Sequence, residues 1–229
     1  MLDFLGTIVT AALMMVVVNG VVTYMAIGRA AKLTLAGIAG LWIGLAGAAS
    51  ASGWIGSSKP FPVIGIFVAT PLVATALATM WPAARAALLG LPMPLMIGLN
   101  IGRVFAILFL LLEMQGRLAG PFPFLAGWGD IITAIFAVPL LFVAAGERYS
   151  GAITAWNLFG AADLVLAIFL GVTSAEGSPV QLFYSSPGSE AMQHLPWSFV
   201  PTVLVPFYLI MHATIWAQVS ARRAGTRGA

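Results

Sequence analysis

Five polar side chains in the middle of the chain have the types and spacing to do chemistry: Asn100, Arg103, Asp130, Asn157 and Asp163. They sit in or beside three long apolar runs, the first reading N-I-G-R, the second opening on G-W-G-D and the third on W-N-L-F-G-A-A-D. A lone charge at the centre of a bilayer costs ~2.5–3.5 kcal/mol on insertion scales, so an arginine and an aspartate at that depth must face a bundle interior and find partners. The simplest partner for Arg103 is Asp163. Asn100 stands three residues before Arg103 on the same helical face, where its amide oxygen can accept from the guanidinium. Such a group can bind a ligand or carry a proton. It can equally be an ion pair that fixes the packing register of two helices and does no chemistry.

The elements that hold these residues follow from composition. Of the 229 residues 61% are hydrophobic and 7% charged, and the mean hydropathy is +1.03. Soluble domains carry roughly 25% charged residues, so this composition predicts an integral membrane protein. Continuous apolar runs, without the two-residue alternation of a barrel, point to helices. Spans of ~20 residues with short connections leave room for about seven of them and no separate soluble domain. The expected fold class is therefore all-α, one bundle of seven transmembrane helices covering residues 1–229. The spans fall at about 4–27, 33–54, 62–81, 93–114, 128–145, 152–172 and 197–219, with a long loop at 173–194 that can act as a lid. The first run lacks a basic leader and is too long for a signal peptide, so it is read as a retained span. In the second span Ala36, Gly40, Gly44 and Ala48 form a small-residue stripe, read as an internal seam between helices. Pro121-Phe122-Pro123-Phe124 reads as an interfacial loop.

Loop charges set the orientation. With the C-terminus inside, Arg29, Lys32, Arg85, Arg148, Arg222, Arg223 and Arg227 are cytoplasmic and only Lys59 and Arg117 are outside. The N-terminus is then outside and the 173–194 loop lies on the outer face. Counting rise along each span places Asn19, Asn100, Asn157 and His212 in the inner third and Arg103 and Asp163 near the midplane. Glu113 and Asp130 fall near the outer interface, where Asp130 can cap the start of its helix. The three levels form a ladder: a ligand or ion pathway of Arg103, Asp163, Asn100, Asn157, Asn19 and His212, with Glu113 and Asp130 at its outer entrance. His212 suits a proton carrier or a hydrogen-bonded core histidine.

A short internal repeat accompanies these residues: D-I-I-T-A-I-F from Asp130 aligns with D-L-V-L-A-I-F from Asp163, 33 residues later. Inverted repeats of this kind mark many secondary transporters. Phosphate-binding loops, dinucleotide fingerprints, nucleophile elbows and zinc-protease motifs are absent from the sequence, as is cysteine. No catalytic residue, metal site or cofactor is therefore expected. The last span carries no lysine for a retinal Schiff base. The pI near 9.7 reflects scattered loop cations, a topology signal and not a nucleic-acid surface.

The run from Arg103 to Leu110, the segment P-F-P-F-L-A-G-W-G-D, the segment W-N-L-F-G-x-x-D-L and the proline-rich last span resemble a group of small bacterial polytopic membrane proteins to which no activity is attached. The resemblance implies a bacterial cytoplasmic-membrane location and nothing about chemistry. Three functions fit the residues: a transporter or small-ligand-binding bundle taking a small molecule or proton, an accessory subunit or assembly factor of a larger membrane complex, and a membrane-embedded lipid-modifying enzyme using Glu113, Asp130 and His212.

Overall fold

A computed structural model describes residues 1–56, 60–144 and 149–227; Lys59 and Arg148, two of the loop charges used for orientation, lie outside the described residues. Every regular element described is helical. Helix α1 spans Leu2–Tyr24, α2 Arg29–Ala51, α3 Pro60–Ala78 and α4 Pro82–Leu89. A single span from Met93 to Met114 is built from α5 (Met93–Leu99), a 3-10 segment (Asn100–Ala106) and α6 (Ile107–Met114). Helices α7 (Pro121–Val143) and α8 (Ser150–Ser174) follow, and a π-helical turn (Val200–Leu204) leads into α9 (Val205–Arg227). Among the described residues, six helical stretches are long and apolar enough to cross a membrane, or seven if the α3–α4 pair, bent by 111°, counts as one. The set is compatible with a multi-pass membrane protein.

Two local features differ from the sequence reading. The Pro121–Phe124 element is no loop but the first turn of α7, with Gly120 at φ +77° turning the chain into it. Proline suits that turn because the first N–H groups of a helix have no intrahelical acceptor to lose. The small-residue stripe of α2 is no internal seam either. A Cβ placed on Gly37, Gly40 or Gly44 would meet nothing within 4 Å, and only Gly47 approaches a side chain of another element, Phe199. Helix α2 instead docks through Ala46, Ala49 and Trp42, whose indole donates to the carbonyl of Thr202 at 3.0 Å. That carbonyl is free because Pro206, four residues on, has no N–H to offer it.

Apolar side chains pack in two main clusters. One gathers Leu108, Phe109, Leu112, Phe122, Leu170 and Trp197 toward one end of the bundle. The other gathers Met96, Ile97, Ala137, Ile153, Met211 and Ile215 toward the opposite end. In the Met93–Met114 span, α7 and α8 alike, a charged residue falls between the stretch that feeds the first cluster and the stretch that feeds the second. The charges therefore meet at one level, with apolar packing on both sides.

Candidate functional site: an arginine held by two aspartates

Arg103 lies in the 3-10 segment, where three residues make a turn and side chains three apart line up. Asn100, Arg103 and Ala106 share that line, and all three are buried. The tighter winding brings the Arg103 Nη1 to 3.4 Å from the Asn100 Oδ1. Gly102 permits the close approach of neighbouring helices, since a Cβ there would meet Leu13 Cδ2 at 2.5 Å and the Tyr208 hydroxyl at 3.2 Å.

The guanidinium is surrounded by acceptors. Its Nε donates to Asp130 Oδ1 at 2.5 Å and its Nη2 to Asp163 Oδ2 at 2.6 Å. Nη1 and Nη2 each reach the Gly160 carbonyl at 3.3 Å, and Nη1 lies 3.0 Å from His212 Nε2. The Tyr208 ring lies 5.8 Å from the guanidinium carbon, in cation–π range. All three nitrogens thus have acceptors for their five N–H groups, the condition under which a buried arginine is tolerated.

Arginine is donor-only, so His212 Nε2 accepts from it and the ring proton belongs on Nδ1. Nδ1 then donates to Asn157 Oδ1 at 2.9 Å, and the Asn157 amide donates to the His212 carbonyl at 3.0 Å. Asn157 fixes both the tautomer and the orientation of the ring. His212 and Asn157 are 1% and 2% exposed, and the pair forms a wall of the arginine site.

Two glycines and a threonine make room for the cluster. Gly129 faces the Asp163 carboxylate so closely that a Cβ would overlap its oxygen. On α8, a Cβ at Gly160 would meet the His212 ring at 2.7 Å and Thr133 Cγ2 at 2.9 Å. Thr133 turns its hydroxyl back to the Gly129 carbonyl, and Trp156 donates to the carbonyl of Thr133 at 2.9 Å, which holds α7 against α8 beside the site.

The expected ladder of three levels is thus one cluster. Arg103 meets Asp163, with Asn100, Asn157 and His212 in the same shell. Asp130 does not cap the start of its helix. Because α7 begins at Pro121, Asp130 is the tenth residue of the helix, ~14 Å from its start, and it holds Arg103 by Nε while Asp163 takes Nη2. Asn19 is not in the layer: its amide donates only to the Met15 carbonyl of its own helix, on an exposed face of α1. Glu113 is half-buried and outside the cluster, ten residues beyond Arg103 along the same span, ~15 Å if fully helical. Tyr208, Gly129 and Gly160 were not singled out from sequence. The repeated D-x-x-x-A-I-F segment was the available clue to Asp130, since its two aspartates contact the same guanidinium.

The site has an access side. Asp130 keeps 13% side-chain exposure, against 1% for Arg103 and 5% for Asp163. Its Oδ2 makes no hydrogen bond among the described residues, and Asp130 lines two cavities at once. Counted as the space open to the centre of a water molecule, they measure about 60 and 50 Å³. The larger is walled by Phe109, Leu164, Ile168 and Val205, and by Met192, Ser189 and Gln193 of the loop after α8. That loop is tied down: Ser189 donates to the Gly171 carbonyl, the Glu190 carboxylate accepts from the Glu176 and Gly188 N–H groups, and Leu182 and Phe183 N–H both reach the Thr173 carbonyl. The smaller cavity is bounded by α1, the 3-10 segment and Tyr208.

Residues 60–219 match the family described as Domain of unknown function (DUF8737). The chain belongs to that family. The matched stretch contains every residue of the arginine cluster and leaves out α1 and α2. Comparisons with curated proteins and with solved structures return no match.

Proposed function

We propose that this chain is a multi-pass protein of the bacterial cytoplasmic membrane that binds, and carries across the bilayer, a small apolar molecule bearing one cationic or protonatable group. The observation that carries the reading is the free oxygen of Asp130. One guanidinium and two carboxylates leave a net negative charge when both aspartates are ionised, and an unbalanced buried charge is costly. The balancing positive charge can come from a proton or a cationic ligand, and Asp130 Oδ2 is where either has room to arrive. The larger cavity is apolar apart from Asp130, Ser189 and Gln193. It therefore suits a ligand that is mostly hydrocarbon with one polar end. At ~10–15 Å³ for each water centre, a cavity of about 60 Å³ has room for roughly four to six waters, so the ligand is small. The topology, N-terminus outside and the loop after α8 on the outer face, makes that loop the cover of the larger cavity.

Proton flux into proteoliposomes under an imposed potential, with and without hexylamine on the outer side, tests the reading. Asp130→Asn removes the negative charge while preserving shape, and the expected result is loss of amine-dependent flux in a folded protein. Flux equal to wild type in Asp130→Asn, or none in either protein for any of a set of short alkylamines, refutes it.

One observation favours the accessory-subunit reading as a second role: the outward small-residue face of α2, where Gly37, Gly40 and Gly44 meet nothing within 4 Å among the described residues. A partner helix there would co-purify in fixed ratio from native membranes, and Gly40→Leu would release it.

A further inference from the structure

Away from the arginine cluster, Arg29 and Arg85 are the arginines without a partner among the described residues, and of the two Arg85 lines a groove. Arg85 lies on α4, is exposed, and makes no hydrogen bond or ion pair among the described residues. Helix α4 is bent 111° from α3, so wherever α3 crosses a bilayer α4 lies close to its plane, the attitude of an interfacial helix. Trp81, 64% exposed at the bend, is the residue type that favours the headgroup level.

Arg85, Leu88 and Leu89 stand at i, i+3 and i+4 and hence on one face of α4. That face looks into a groove completed by Leu72 and Thr75 of α3, by Thr79 just after it, and by Ile210, Ala213, Thr214 and Ala217 of α9. Two adjoining cavities, about 280 and 350 Å³ by the same measure as above, share Thr79, Arg85 and Leu89. Thr79 and Thr214 turn their hydroxyls back to helix carbonyls, whereas the Thr75 hydroxyl makes no hydrogen bond among the described residues. The far end of the groove is fixed in shape, because Gln218 of α9 donates to the carbonyls of both Leu89 and Leu91 at the end of α4. A fixed groove with apolar walls, one free guanidinium and one free hydroxyl at the interfacial level matches the phosphate and first acyl carbons of a lipid.

We propose that the groove between α3, α4 and α9 is a binding site for an anionic membrane phospholipid, its phosphate held by Arg85 and Thr75 and its acyl chain lying against Leu72, Leu88 and Ile210. Arginine suits this role because its planar fork can donate two N–H groups to one phosphate. On the orientation read from loop charges, the groove opens to the cytoplasmic leaflet, where anionic lipid draws basic residues.

The full chain, purified in a mild non-ionic detergent, is titrated separately with dioleoyl phosphatidylglycerol, dioleoyl phosphatidylcholine and inorganic phosphate, with bound lipid counted by native mass spectrometry. The expected result is retention of one phosphatidylglycerol in preference to phosphatidylcholine, about fivefold weaker in Arg85→Gln and largely restored in Arg85→Lys. Saturable inorganic phosphate binding that needs Arg85, with no preference for the lipid, would assign the site to a free anion and overturn the proposal. So would equal retention of the two lipids, or retention unchanged in Arg85→Gln. Arg85 is exposed and unbonded, so the variant keeps its fold, and an unchanged elution volume on size exclusion checks this.

Discussion

The charge arithmetic of the cluster makes two substitutions at opposite ends of one hydrogen bond differ widely in cost. Arg103→Gln removes the only cation and leaves Asp130 and Asp163 buried with neither their counter-ion nor its short hydrogen bonds of 2.5 and 2.6 Å. Breaking a buried ion pair from one side costs ~3–5 kcal/mol. Here two carboxylates are abandoned, so the upper end applies. For a chain of this length each kcal/mol shifts the melting temperature by ~2–4 °C, and the expected drop is on the order of 10–20 °C. Asp130→Asn keeps an oxygen for the Arg103 Nε, turns its new amide toward the cavity and brings the cluster to neutrality. Its expected cost is ~1 kcal/mol or less, a shift of a few degrees at most. The assay is thermal unfolding of detergent-solubilised protein, followed by tryptophan fluorescence and by the surviving monomer peak. The triple variant Arg103→Gln, Asp130→Asn, Asp163→Asn should recover most of the loss, because no charge remains buried. An Arg103→Gln protein that melts with wild type, or an Asp130→Asn protein that falls as far as Arg103→Gln, would refute the reasoning.

Glycine positions give a second contrast. Gly160→Ala and Gly129→Ala force a methyl into His212 and Asp163 respectively, and each should cost ~1–3 kcal/mol by overpacking. Gly40→Ala adds a methyl where nothing lies within 4 Å, so it should be neutral or stabilise by up to ~1 kcal/mol through helix propensity; both are read by the same melting assay. At the N-terminal end of α1, Trp197 donates to Asp3 at 2.8 Å from a buried position, while the Arg117–Asp3 pair, also 2.8 Å, is largely exposed. Trp197→Phe should therefore cost ~1–3 kcal/mol, counting the lost bond and the smaller ring, and Arg117→Gln less than ~1 kcal/mol. A larger loss for Arg117→Gln than for Trp197→Phe would reverse that ranking. Asn157→Leu releases the His212 ring from the orientation that lets Nε2 accept from Arg103. Amide exchange around Gly160 should rise as the arginine loses that partner, whereas an unchanged exchange pattern would deny Asn157 its orienting role.

Much of this was legible in the sequence, and the limits have physical causes. Continuous apolar runs revealed the helices because a lipid-exposed backbone leaves no alternative. The cost of a buried charge pointed to Arg103 and Asp163 as partners, and the structure places them 2.6 Å apart. Asp130 was set at the wrong depth because Pro121 and Pro123 read as loop punctuation, although proline is equally at home in a first helical turn. Moving the helix start by seven residues carries Asp130 from the interface to the level of Arg103. Asn19 was placed by depth alone, and depth says nothing about which way a side chain faces. Its position on the exposed side of α1 depends on how that helix rotates against α5 and α9. The small-residue stripe of α2 signalled close approach without saying whose backbone approaches. The 3-10 segment left no mark in hydropathy, yet its three-residue turn is what lines up Asn100, Arg103 and Ala106.

The most direct test of the central claim, that Asp130 presents a free carboxylate oxygen to a cationic ligand, is equilibrium binding of radiolabelled hexylamine to the purified full chain at neutral pH, with hexanol as the uncharged competitor of equal length. The account predicts saturable binding of the amine at one site, poor competition by hexanol, and loss of binding in an Asp130→Asn protein that melts like wild type. Amine binding that survives Asp130→Asn, or that hexanol displaces as readily as unlabelled amine, would contradict it.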